Sequence, residues 1–201
     1  MLSNLEHQLE TNSEESRLTL TSDEVKIQDL SFRIESLLSE TEFANVYRAR
    51  RLSTSSDEEE TSSTVVVKVE SKPHCYLNNE AAIMASLDHP HILKPKTHRS
   101  AKDSGSMMVM PLLQHGDLHT LVKEARGVSE QTTLYFARYM VDALQYLHDC
   151  NIVHRDFKLE NILIDDNLEP QIIDFGFAEI RDSFMSTPVE LAATAKGTIQ
   201  Y

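Results

Sequence analysis

The run His154-Arg155-Asp156-Phe157-Lys158-Leu159-Glu160-Asn161 sets a carboxylate, an ammonium and an amide close together in the chain. About one hairpin later comes a further carboxylate, in Asp174-Phe175-Gly176. Phosphoryl transfer needs such a set, because metal ions held on oxygen ligands must neutralise the phosphates while a carboxylate orients the attacking hydroxyl. Singly, the Asp and Asn pairs read as turns; together, with this spacing and apolar strands on either side, they form the context that this chemistry requires. Lys68 adds a second indication, since it lies inside the apolar run Val65-Val66-Val67-Lys68-Val69. A lysine in such a strand is costly without an anionic partner. Glu80, in Asn79-Glu80-Ala81-Ala82-Ile83-Met84, is the candidate partner, and an ordinary exposed helical glutamate is the alternative.

The elements that must position these groups are legible in outline. Residues 1–28 are polar and acidic and read as a tail or a weakly held helix. From Phe32 the alternation Phe32-Arg33-Ile34-Glu35-Ser36-Leu37, followed by Val46-Tyr47, predicts two strands joined by a turn. Residues 51–64, rich in Ser, Thr and acids, predict a solvated loop before the β-branched strand at 65–69. A helix is expected over Asn79–Leu87, and a short strand over Met107–Met110 closing on Pro111. Ser129 suits the N-cap of a long helix on which Leu134, Ala137, Val141, Leu144 and Leu147 share a face. Asn161–Ile164 and Gln171–Ile173 then read as a hairpin around Asp165-Asp166-Asn167. The expectation is an α+β chain, strand-rich first and helix-led second.

With 201 residues and 40% hydrophobic content the chain can bury a core in one domain or two small lobes. Its 19 basic against 32 acidic residues, a net charge of −13, argue against general binding to nucleic acid or to anionic membrane. Cys75 and Cys150 lack metal-type spacing and suit a reducing compartment. With no signal segment and no run long enough to span a bilayer, a cytoplasmic or nuclear protein is expected. The histidines at 89, 91, 98, 115 and 119 match no tetrahedral zinc pattern.

The catalytic-loop run, Asp174-Phe175-Gly176 and the lysine strand together resemble the eukaryotic protein kinase superfamily, over about 32–201. The resemblance implies a two-lobed fold, with a small antiparallel β lobe at about 29–113 that carries the insertion 51–64. An incomplete helical lobe is implied at 114–201. It implies Asp156 as catalytic base, Lys158 at the γ-phosphate, and Asn161 and Asp174 holding Mg2+. Lys68 would meet the α- and β-phosphates of ATP and pair with Glu80. Leu38, Val46, Val66, Met110 and Leu163 would line the nucleotide pocket, with Pro111 and Leu113 facing the adenine through a carbonyl and an N–H. Asp117 would contact ribose, with a helix cap as its equal alternative. Lys158 and Gly197-Thr198 resemble the Ser/Thr class, which implies a protein substrate carrying Ser or Thr. Thr194 matches an activation-segment phosphorylation site docking on Arg155, with Ser183, Ser186 and Thr187 as competitors.

Three departures stand out. Ser39, Thr41 and Ala44 replace the family's phosphate-loop glycines, beside Glu40 and Glu42. Where those positions need left-handed backbone, a side chain costs about 1–2 kcal/mol each, so strained and weakened ATP binding is expected. Val66 stands where alanine is usual and narrows the adenine site. The chain ends at Tyr201, short of an Ala-Pro-Glu motif, so part of the cover of the helix at 129–148 is expected to be lacking. Three function classes stay open: a Ser/Thr kinase, a catalytically impaired binding module on a kinase scaffold, and a small-molecule phosphotransferase of related fold.

Overall fold

A computed structural model describes residues 24–27, 30–52, 63–71, 76–100 and 106–181. Thr194 and its competitors lie outside the described residues. The chain forms two compact units, Met1–Asn78 with Pro95–Leu112, and Asn79–Lys94 with Leu113–Tyr201.

The first unit is an antiparallel sheet. Its strands are β1 (Glu24–Ile27), β2 (Leu30–Glu40), β3 (Ala44–Leu52) and β4 (Thr64–Glu70), followed, after helix α1 (Tyr76–Ser86), by β5 (Thr97–Arg99) and β6 (Met107–Pro111). They lie side by side in the order β1-β2-β3-β4-β6-β5. Period-two alternation selects the core face: Val65 and Val67 are buried with Phe32, Ala49, Met107 and Val109, while Val66 and Lys68 point to the opposite face. Buried Glu70 accepts from the amides of Leu77 and Ser106 at 3.5 and 3.2 Å, tying the start of α1 and the approach to β6 to the end of β4.

Two boundaries differ from expectation. The presumed tail 1–28 contributes β1, which pairs with β2 from Glu24↔Arg33 to Ile27↔Leu30. Val25 and Ile27 join the core there, a burial that depends on the neighbouring strand rather than on local composition. The insertion is also shorter than 51–64, since Arg51 and Leu52 extend β3 opposite Phe32 and Ser31, and Thr64 begins β4 opposite Arg50.

The second unit takes the rest of α1, then α2 (Leu118–Glu124), α3 (Glu130–Asp149), β7 (Ile152–Val153), the hairpin β8 (Ile162–Ile164) and β9 (Pro170–Ile172), and β10 (Glu179–Ile180), which pairs with β7. Ser129 caps α3 as expected, its Oγ accepting from Thr132 N at 3.1 Å. Helix α2 closes with Gly127 N donating to Val122 O and Arg126 N to Lys123 O, both near 3 Å, with Arg126 left-handed at φ 57°. The buried stripe of α3 is Met140, Ala143 and Leu147, and Leu134 and Val141 on the predicted face are 61% and 62% exposed. The segment before β5 is laced to β9 by Leu93 N to Ile172 O (3.0 Å), Ile172 N to His91 O (2.8 Å) and Gln171 Nε2 to Pro90 O (2.7 Å). Among the described residues no helix is long and apolar enough to cross a membrane.

Candidate active site

The loop after β7 is organised around His154, whose ring is buried. Its Nε2 lies 3.1 Å from Ile173 O, and its Nδ1 accepts from Asp156 N at 3.3 Å. Those two bonds define the neutral Nε2–H tautomer. Burial holds its pKa below the ordinary 6.5, outweighing the Ile173 carbonyl and the carboxylates of Asp174 and Asp156, which favour the charged ring. The ring also packs on Phe175, with centroids 4.8 Å apart. One side chain therefore aligns the catalytic loop and the Asp174-Phe175-Gly176 segment.

Asp156 is buried, and its Oδ2 takes two donors, Lys158 Nζ at 2.8 Å and Asn161 Nδ2 at 3.0 Å. The same Nδ2 reaches Asp156 O at 2.9 Å. Asn161 is fixed in turn by its backbone, N to Lys158 O (3.0 Å) in a short 3₁₀ turn and O from Ile173 N (2.9 Å). A buried carboxylate is tolerable when it is paired and hydrogen-bonded in this way. Among the predicted catalytic residues, Asp156, Lys158 and Asn161 are thus brought into one cluster.

Arg155 and Asp174 adopt left-handed backbone, at φ 63° and 62°. Such φ values in non-glycine residues mark sites held by their surroundings. Arg155 is held by Nε donating to Phe177 O at 2.7 Å and Nη1 to Glu179 Oε2 at 2.5 Å. Beyond Asp174, Phe175 is fully buried and Ala178 N closes a turn on Phe175 O at 3.0 Å. A Cβ at Gly176 would lie 3.4 Å from Asp174 Oδ1 and 3.8 Å from Glu80 Oε2. Glu80 itself is 3% exposed, so the reading of it as an exposed helical glutamate does not hold. Asp117 realises its cap alternative: Oδ1 accepts from Thr120 N at 2.7 Å and Oδ2 from Thr120 Oγ1 at 2.8 Å. Leu163 is half-buried on β8, bridged to Asp117, and Leu113 is half-buried ahead of α2.

On the sheet, Lys68 is half-buried and lies in register with Val46 on one side and Met108 on the other. Val66 is opposite Met110, and Pro111 ends β6 opposite Val65. Leu38 sits at a register shift between Leu37 and Ser39 and is 50% exposed. The expected backbone strain at 39, 41 and 44 is absent. None of these residues has positive φ, because the tip closes through Thr41, whose hydroxyl donates to Ala44 O at 2.8 Å and accepts from Ala44 N at 3.1 Å.

The model for the protein kinase domain matches residues 32–201. The chain belongs to the protein kinase domain family. It is similar to NUAK family SNF1-like kinase 1 of Homo sapiens, 40% identical over 114 residues that cover 56% of this chain and 17% of that one. The probable serine/threonine-protein kinase mkcB of Dictyostelium discoideum is 37% identical over 115 residues, 57% of this chain and 16% of its own. The 3-phosphoinositide-dependent protein kinase 1 of Homo sapiens is 30% identical over 157 residues, 74% of this chain and 27% of its own. The matched parts thus span a sixth to about a quarter of these relatives. Kinase-family membership implies ATP with a divalent metal and a protein substrate. Three residues of this kinase domain escaped the sequence reading: His154 as a two-sided anchor, Glu179 as the partner of Arg155, and Thr41 as a tip lock. Only the first had a signal, as part of the catalytic-loop motif.

Proposed function

We propose that this chain is a protein serine/threonine kinase domain that transfers the γ-phosphate of ATP to a Ser or Thr hydroxyl. The observation that carries the reading is the buried Asp156 carboxylate, oriented by Lys158 at 2.8 Å and Asn161 at 3.0 Å. A base held in that way aligns a substrate hydroxyl and accepts its proton, while the Lys158 ammonium meets the charge of the transferred group. Asn161 spends its Nδ2 on Asp156, which leaves Oδ1 as its ligand atom. With the Asp174 carboxylate this makes an all-oxygen donor pair suited to Mg2+, whose remaining ligands are phosphate and water. When bound, the metal neutralises phosphate charge. Lys68 is assigned to the α- and β-phosphates with Glu80 as its partner, and Leu38, Val46, Val66, Met110, Pro111, Leu113 and Leu163 to the nucleoside. Thr194 is assigned as a phosphorylation site docking on Arg155, where it must compete with Glu179.

One observation favours a second reading, a kinase scaffold used for binding: the tip between β2 and β3 carries Ser39, Thr41 and Ala44 in place of glycine. Phosphotransfer to a Ser/Thr peptide with Mg2+ and ATP separates the two. Asp156→Asn and Lys68→Met should each lower the rate by about 10²–10⁴-fold. Full activity in either variant would refute the assigned roles, and no activity in the unmodified chain would favour the binding module.

A further inference from the structure

The tip between β2 and β3 is closed on itself. Thr41 N donates to Ala44 O at 3.0 Å, Thr41 Oγ1 donates to the same carbonyl at 2.8 Å, and Ala44 N donates back to Thr41 Oγ1 at 3.1 Å. Phe43 O accepts from Ser71 N at 2.9 Å, which pins the tip to the end of β4. Two backbone donors, those of Thr41 and Ala44, are therefore consumed inside the protein at the place where a phosphate-binding hairpin presents donors to its ligand. Ala44 is buried, and the Glu40 and Glu42 side chains are exposed on either side of Thr41.

We propose that Thr41 is a specificity residue that locks the tip against phosphate, so that the tip adds little to the affinity for a nucleoside triphosphate beyond what Lys68 and the metal supply. The proposal rests on the ATP reading above. A phosphate oxygen is a stronger acceptor than a hydroxyl, but it must first break the Thr41–Ala44 bonds, so the ligand gains only the difference between the two. The exposed Glu40 carboxylate reduces that difference further, since it repels a polyphosphate. No left-handed strain enters, since none of 39, 41 or 44 has positive φ. Two of the bonds within the tip depend on one hydroxyl, while Thr41 N to Ala44 O is held by backbone alone. Thr41→Val keeps the β-branched shape and removes the hydroxyl, leaving the Ala44 N–H without that acceptor. Thr41→Gly also frees the backbone to turn its amides outward.

The experiment is calorimetric titration of the 201-residue chain and of both variants with adenosine and with Mg-ATP, together with amide hydrogen exchange at Ala44 without ligand. Thr41→Val should tighten Mg-ATP by about tenfold and leave adenosine unchanged, with Thr41→Gly at least as strong, and Ala44 should exchange faster in both. Adenosine binding with an unchanged ATP-to-adenosine ratio in both variants would overturn the lock and leave the kinase reading intact. So would Ala44 exchange in both variants no faster than in the unmodified chain. Failure of all three proteins to bind adenosine would overturn both.

Discussion

Replacing His154 by Phe tests the anchor on which the catalytic loop hangs. The ring is 3% exposed, its Nε2–H donates to Ile173 O at 3.1 Å, and its Nδ1 accepts from Asp156 N at 3.3 Å. Phenylalanine keeps most of the packing on Phe175 and removes both bonds, leaving a part-buried carbonyl and a buried amide without those partners. Each such loss costs about 1–3 kcal/mol, so near pH 8 the variant should be less stable by about 2–6 kcal/mol. Acid should narrow that gap. The folded-state pKa of His154 is depressed below 6.5 by burial, so the unfolded chain binds this proton more readily than the folded one. The anchor's contribution is fully present above pH 6.5, and as pH falls from there toward the folded-state value it is lost at about 1.4 kcal/mol per pH unit. Phenylalanine has no such proton, so the variant escapes that loss while every other histidine behaves alike in both proteins. Urea unfolding of the two chains between pH 5 and 8 reads the difference. A gap that stays constant or widens toward pH 5 would show that the ring is charged in the folded protein, and the two-bond neutral anchor would be refuted.

Two further outcomes follow from the fold and from the activation segment. Ile27→Ala should cost about 2–5 kcal/mol in the same unfolding measurement, because the side chain is fully buried in the sheet core; a loss below about 0.5 kcal/mol would place residues 24–27 outside it. Thr194→Ala should lower phosphotransfer about tenfold and leave the segment after Asp174 more open to protease, because a phosphate there brings charge-assisted bonds to Arg155. Equal activity and equal cleavage in the two proteins would remove Thr194 from the mechanism.

What the sequence determined by itself is local. The catalytic-loop run and Asp174-Phe175-Gly176 carry their spacing in the chain, the alternation at 65–69 writes its own strand, and Ser129 caps α3 with a bond to a residue three positions away. Each depends on neighbours within a turn or a strand pair, so composition and periodicity suffice to find it. The tertiary structure decided whatever depends on distant partners. Val25 and Ile27 look like stray apolar residues in an acidic stretch until β2 lies beside them. The buried side of α3 runs through Met140, Ala143 and Leu147 rather than Leu134 and Val141, because an amphipathic helix offers adjoining apolar lines and packing selects among them. Left-handed backbone falls at Arg155 and Asp174 instead of at the missing glycines. Arg155 is held by Phe177 and Glu179, more than twenty positions along the chain. Hydrogen bonds of that span reward a conformation only after the chain has folded, so no window of sequence contains them.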